Sequence, residues 1–213
     1  MNNKIRLLVL TAVSAAVLAL PTTASALESL HLEPTPVGAK PVHGVGEVWF
    51  SLSEGSTLGC KNVTGSATFS PGGTTGTLSL KFGGCNSGLT CTTPGEATGN
   101  IATTVLPFDL VTLPGGKPGV LVTSNSGHFA SFKCGFFYSF NLTGGLIGTV
   151  TPLCAYTTND STVTFTQSGS GVQAHTKVSG TDNIYALSTG SVTLAMSMHW
   201  TLTFGQQTTL VCT

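Results

Sequence analysis

An all-β fold, either an antiparallel sandwich or a closed barrel of about ten strands, is predicted for this 213-residue chain by three observations. Strict alternation of apolar and polar residues recurs along it, and glycine- and proline-rich turn signals separate the alternating runs. Beyond the N-terminal leader, no segment holds apolar side chains at the i, i+3, i+4, i+7 spacing of a helix over three turns. The longest run is 191–204. Val192, Leu194, Met196, Met198, Trp200, Leu202 and Phe204 share one parity, against Ser191, Thr193, Ala195, Ser197, His199, Thr201 and Thr203. Successive side chains of a strand point to opposite faces, so the run has one apolar face and one hydroxyl-rich face. At about 3.3 Å per residue it would extend roughly 46 Å, so it must bend or pass between two sheets.

The leader comes first in the chain. Lys4 and Arg6 accompany an apolar run over 5–20, followed by Pro21 and the small-residue motif Ala24-Ser25-Ala26. This reads as a secretory signal peptide at 1–26, cleaved after Ala26, and predicts an extracellular location. No other stretch approaches the roughly 20 apolar residues that a membrane-spanning helix needs. Residues 27–45, with Pro34, Pro36 and Pro41, read as an extended N-terminal arm, and 46–213 as a single all-β domain.

After the leader the chain keeps six Lys, no Arg and eight acidic residues, a formal net charge of −2. Nucleic-acid binding needs clustered cations that release counterions, so that class of partner is excluded. All six Cys lie beyond the leader, at 60, 85, 91, 134, 154 and 212. An even number in an exported chain predicts three disulfides. A zinc site is the weaker alternative, because there is no C-x-x-C pair and the histidines are scattered.

The domain begins with a strand over 47–52. Next, arms over 60–69 and 75–85 flank Ser70-Pro71-Gly72-Gly73, a hairpin turn. Cys60 and Cys85 are symmetric about a turn centred between Gly72 and Gly73, which predicts a disulfide closing the open end of this hairpin. Cys85 with Cys91 is the competing local bridge. The polar stretch 86–99 reads as a loop, and 100–113 as strand interrupted by Pro107. The segment 113–119, rich in Gly and Pro, reads as a turn into a strand at 120–123. A second alternating run covers 132–142: Phe132, Cys134, Phe136, Tyr138, Phe140 and Leu142 share a parity. It is the expected mate of 191–204 across the core. Shorter strands are expected at 146–151, 162–167, 184–187 and 208–212. The remaining disulfides are assigned as Cys91 with Cys134 and Cys154 with Cys212, although the spacing alone leaves their connectivity open.

Residues with chemical potential are sparse. His199, with Ser197 and Thr201 on its face and Asp109 or Asp182 elsewhere, is the one candidate centre for a hydrolase triad. An exposed structural histidine is the plainer reading. Gly169-Ser170-Gly171 lacks the spacing of a nucleophile elbow. His43 and Glu47 could supply two metal ligands only from a helix, which Gly44 and Gly46 argue against, and His128 near Cys134 suggests a thiol–imidazole pair only if that Cys is free. The acids are isolated, so no paired carboxylates are evident. Sequons occur at Asn62, Asn141 and Asn159. The sharper candidate is an apolar ligand cavity walled by Met196, Met198 and Trp200 on one side and Phe136, Tyr138 and Phe140 on the other. The alternative is that the same side chains form a packed core.

The succession Cys60, a Thr/Gly hairpin, Gly84-Cys85, Cys91-Thr92-Thr93-Pro94-Gly95, Leu106-Pro107-Phe108, Pro118-Gly119-Val120 and Gly127-His128-Phe129-Ala130 resembles an uncharacterised group of secreted, Thr/Gly-rich proteins of actinobacteria. The resemblance spans most of the mature chain and implies export and a β fold, with no site to transfer. The expected role is therefore a non-enzymatic structural or binding module at the cell surface or outside the cell. Carriage of a small apolar ligand in a barrel cavity is the first alternative and a secreted hydrolase the second. No cofactor is indicated, and the partner is unknown; hydroxyl-rich sheet edges permit self-association.

Overall fold

The structure, a computed structural model, describes residues 30–44, 46–125 and 127–212. The signal peptide expected at 1–26 lies outside the described residues. Among the described residues seventeen strands follow in order: β1 (Leu30–Glu33), β2 (Lys40–Gly44), β3 (Val48–Leu52), β4 (Thr57–Cys60), β5 (Asn62–Phe69), β6 (Thr75–Gly83), β7 (Cys91–Thr92), β8 (Ile101–Ala102) and β9 (Leu106–Leu113). After these come β10 (Lys117–Thr123), β11 (Ala130–Cys134), β12 (Tyr138–Thr151), β13 (Thr157–Phe165), β14 (Gln167–Gly169), β15 (Val172–Gln173), β16 (Leu187–Thr189) and β17 (Val192–Cys212). The all-β expectation holds, with more and shorter strands than the ten expected.

Eight of them close into a barrel. β2 pairs β5, then β6, β9, β10, β12, β13 and β17 follow, and β17 pairs β2 again, every contact antiparallel. Order around the ring is order along the chain, which makes this an up-and-down barrel with short strands inserted between its staves. The closure leaves those staves no free edges. Inward-facing residues alternate as the sequence pattern requires: Val63 and Ala67 on β5, Leu78, Leu80 and Phe82 on β6, Met198, Trp200, Leu202 and Phe204 on β17, all buried. Phe69 meets Phe108 edge to face at 5.1 Å, and Phe165 stacks on Trp200 at 6.4 Å. The outer face carries Thr162, Thr164, His199, Thr201 and Thr203. A barrel that spans a membrane has the reverse pattern, with an apolar outer band.

A smaller ring shares two of these strands. β4, β3, the start of β17, β16, the start of β12, β11 and β7 are paired in that order. Single bridges from Gly59 to Asn86 and from Asn86 to Thr90 complete the circuit. The expected passage of 191–204 between two sheets is therefore observed. β17 pairs β3 and β16 up to Ser197 and enters the barrel at Met198. β12 makes the same crossing at Gly144, whose φ is +100°.

Several expectations change: the strand expected at 184–187 is found at Leu187–Thr189, as β16, with 184–186 outside it. Parts of the stretch read as an arm are sheet members: Leu30 and Leu32 on β1 pair with the end of β17 and are buried, and Val42 on β2 is a core residue. The run 132–142 is a hairpin instead of one strand, with β11 and β12 joined through Gly135, Phe136 and Phe137. Gly135, at φ +60°, makes that turn. Finally, 191–204 and 208–212 are one strand, β17.

All six Cys form disulfides: Cys60–Cys85, Cys91–Cys134 and Cys154–Cys212. The first closes the β5–β6 hairpin, whose register matches the symmetry read from the sequence, as Val63 pairs Phe82 and Phe69 pairs Gly76. In the chain-entropy model a cross-link at a separation of 25 residues contributes about 3.5 kcal/mol.

Candidate functional site

The expected cavity wall divides into two places. Met196, Met198 and Trp200 are buried, at 1%, 1% and 3% exposure. The barrel space beside Trp200, bounded by Phe69, Phe108, Val163 and Phe204, holds a void of about 30 Å³. That is room for about one water, so the barrel interior is packed core. Phe136 does not face this core; it is 97% exposed at the β11–β12 turn, and Tyr138 is 58% exposed. The hairpin explains the difference, because it carries 136–138 to the end of the smaller ring.

A cleft of about 890 Å³ opens at that end. Its buried floor is Leu52, Leu58, Leu194, Phe132 and the Cys134 sulfur side. Each is an inward residue of the smaller ring. Phe132 and Phe140, cross-strand partners, stack at 5.3 Å, while Tyr138 and Leu89 rise to the rim. The opposite rim is the β3–β4 turn, with Glu54, Gly55, Ser56 and Thr57. Asn86, Ser87 and Gly88 supply the third side. Asn86 shapes it: its backbone pairs with Gly59, and its side-chain oxygen accepts from Gly88 N–H at 2.7 Å. The lining therefore has an apolar floor and a hydroxyl- and amide-bearing rim. Among the described residues, Glu54 is its one carboxylate, and none of them in the lining is a Lys, Arg or His.

Of the six side chains expected to wall a cavity, Tyr138 and Phe140 line this cleft, apart from Met196, Met198 and Trp200; Leu52, Leu58, Leu89, Phe132 and Leu194 line it too and were not singled out by the sequence. Their signal is only the alternation that every core strand shares. The volume lies within the range of small-molecule sites, which are concave and mostly apolar with few polar groups.

The hydrolase candidate is not assembled. His199 is exposed on the outer barrel face, and its Nδ1 lies 3.0 Å from Thr164 Oγ1. Its side chain has no aspartate or serine partner among the described residues. Cys134 is consumed by its bridge to Cys91, so it forms no thiol–imidazole pair with His128. Gly169-Ser170-Gly171 is the turn between β14 and β15. Among the described residues, no group of three or more His, Cys, Asp or Glu is placed to hold a metal.

One acid is perturbed. Partial burial pushes Asp109, on β9, above its ordinary 3.8 by desolvating the carboxylate. An acid whose pKa rises on folding favours the folded state in its protonated form and weighs against it once ionised. Asp109→Asn is therefore expected to raise the melting temperature at pH 7 only slightly, because the residue is largely exposed and water screens its charge. The gain should shrink as pH falls through the raised pKa and vanish below 3.8, as thermal scans across pH would show.

Comparison with protein-family models, with curated proteins and with solved structures finds no match. The class of protein is therefore defined by its own geometry: a disulfide-stapled, up-and-down antiparallel barrel with buried inward side chains, extended by a smaller ring that ends in an open cleft with an apolar floor and a polar rim. Among the described residues, no helix is long and apolar enough to cross a membrane.

Proposed function

We propose that this chain is a secreted, non-enzymatic binding protein that takes one small, mostly apolar molecule in the cleft of the smaller ring. The observation that carries the reading is the contrast between the two interiors. The barrel pocket beside Trp200 holds about 30 Å³, whereas the ring's inward face lines an open cleft of about 890 Å³. Folding alone would favour closing over Leu52, Leu58 and Phe132, since buried apolar area is the main favourable term. Export is supported by the leader motif ending at Ala26 and by three disulfides, which persist in oxidising compartments. The rim narrows the ligand class. With Glu54 as the one carboxylate and no cation among the described residues of the lining, the polar end of the ligand is neutral or cationic, which disfavours fatty acids.

Titration with the neutral fluorophore N-phenyl-1-naphthylamine tests this. A saturable, one-to-one rise in emission is expected. Ser56→Trp, in the exposed β3–β4 turn, should plug the cleft and weaken binding about tenfold or more, with unfolding unchanged. Absence of saturable binding, or equal binding by Ser56→Trp, would contradict the proposal.

A further inference from the structure

The β11–β12 hairpin ends in a feature that the cleft does not use. Phe136 and Phe137 are consecutive at its tip and 97% and 90% exposed. Tyr138 and Leu89, at 58% and 45%, continue the apolar surface towards the cleft rim, and Leu89 lies against Gly135. A soluble surface gains nothing from two adjacent bare phenylalanines, and contiguous exposed apolar surface marks an interaction site. The tip is also firmly held. Cys134, the residue immediately before the turn, is bridged to Cys91, and Phe132 and Phe140 stack below. Little ordering entropy therefore opposes its insertion into another phase.

We propose that this tip inserts into the interfacial region of a lipid bilayer and sets the cleft mouth against the membrane surface. Three observations favour a bilayer over a protein partner. Phe136 and Phe137 stand at the turn of a two-stranded hairpin and are bare over nearly their whole surface, 97% and 90% exposed. A protein partner would have to enclose both rings, while a fluid interface accommodates both. Tyr138 follows directly, an amphipathic ring of the kind that sits at the level of lipid headgroups. The charge on the hairpin is also suitable: its one formal charge is the exposed Lys133, two residues before Gly135, while the cleft's carboxylate, Glu54, stands apart on the β3–β4 turn. That lysine is placed to attract anionic headgroups once the rings insert. Loading of the cleft from the bilayer would rest on the ligand reading above, whereas the docking stands on the tip alone.

Vesicle flotation tests it, using phosphatidylcholine vesicles with and without phosphatidylglycerol. The mature protein should co-float, and about fivefold more tightly when the anionic lipid is present. The double variant Phe136→Ser/Phe137→Ser should float at least about tenfold less, while keeping its melting temperature, because neither ring belongs to the core. In a direct readout, Phe136→Trp should show blue-shifted emission on adding vesicles, quenched by brominated acyl chains. Failure of the native protein to float, or unchanged flotation of the double variant, would overturn the proposal. So would sedimentation velocity showing a dimer that the double variant abolishes without any vesicle binding, because the occupant would then be a second copy. N-phenyl-1-naphthylamine titration of both forms, without vesicles, separates the two ideas: dye binding kept by the double variant with its flotation lost supports both, whereas flotation of the native protein with no dye binding by it leaves docking standing and removes the cleft reading.

Discussion

Gly144→Ala is expected to cost about 4 kcal/mol or more, measured as a lower denaturant midpoint at unchanged slope. Gly144 is where β12 leaves the smaller ring and joins the barrel. It pairs with Leu187 of β16, its neighbour Gly145 pairs with Thr123 of β10, and the change of partner requires φ +100°. An L side chain rarely adopts that conformation, which alone costs of order 1–3 kcal/mol. A Cβ there would also overlap the carbonyl oxygen of Ala186. That carbonyl cannot retreat freely, because it accepts from Gly145 N–H at 3.2 Å, while the Gly144 carbonyl accepts from Ser124 N–H at 2.8 Å. Strain and overlap fall on the same atom group, so relief of one worsens the other. A loss below about 1 kcal/mol would mean that the crossing is soft and that the two rings are not rigidly joined.

Gln173→Leu should destabilise the protein by about 3 to 5 kcal/mol, because it unpairs backbone groups at the second crossing. Where β17 passes between the rings, its ladder to β16 ends at Leu194 and its ladder to β13 begins at Met198. Met196 would be left without partners on that side. The Gln173 side chain, only 4% exposed, fills the gap: Met196 N–H donates to its Oε1 at 2.9 Å, and its Nε2 donates to the Met196 carbonyl at 3.0 Å. The same Nε2 donates to the Thr166 carbonyl at 2.9 Å. The amide thus acts as one residue's worth of missing strand. Leucine keeps the volume and offers none of these bonds, and unmatched buried polar groups carry their full desolvation cost. Gln167→Leu is the control. Its Nε2 donates to the Trp49 and Ala195 carbonyls at 3.1 and 3.2 Å, but at a more open site, so about 1 kcal/mol is expected.

Most of the barrel was legible because alternation and turn residues are local signals. The β5–β6 hairpin, with its disulfide and register, followed from the placement of Ser70-Pro71-Gly72-Gly73 between Cys60 and Cys85. The run 132–142 shows where that reading breaks down. Phe132 pairs Phe140 and Cys134 pairs Tyr138 about a turn centred on residue 136. Partners in such a hairpin have equal parity and face the same side, so a folded hairpin and a straight strand carry the same pattern. Only Gly135 distinguished them, and one glycine in a strand also reads as a bulge. The segment 30–44 was opaque for a different reason. Its prolines suit edges and turns, but Leu30, Leu32 and Val42 owe their burial to β17, far along the chain. The cleft depends on the same kind of distant information. Whether Leu52, Leu58 and Leu194 line a void or a core is decided by where β12 and β17 change partners, and Gln173, which supports one of those changes, has no sequence signature.

A two-dimensional ¹H–¹⁵N NMR titration of the mature protein with N-phenyl-1-naphthylamine distinguishes binding in the ring's cleft from binding inside the barrel. The amides of Thr57, Leu58, Leu89 and Phe140 should shift, while the indole N–H of Trp200, inside the barrel, stays in place. A shift of the Trp200 indole with the cleft amides unmoved would place the ligand under Met198 and Trp200 and contradict the account.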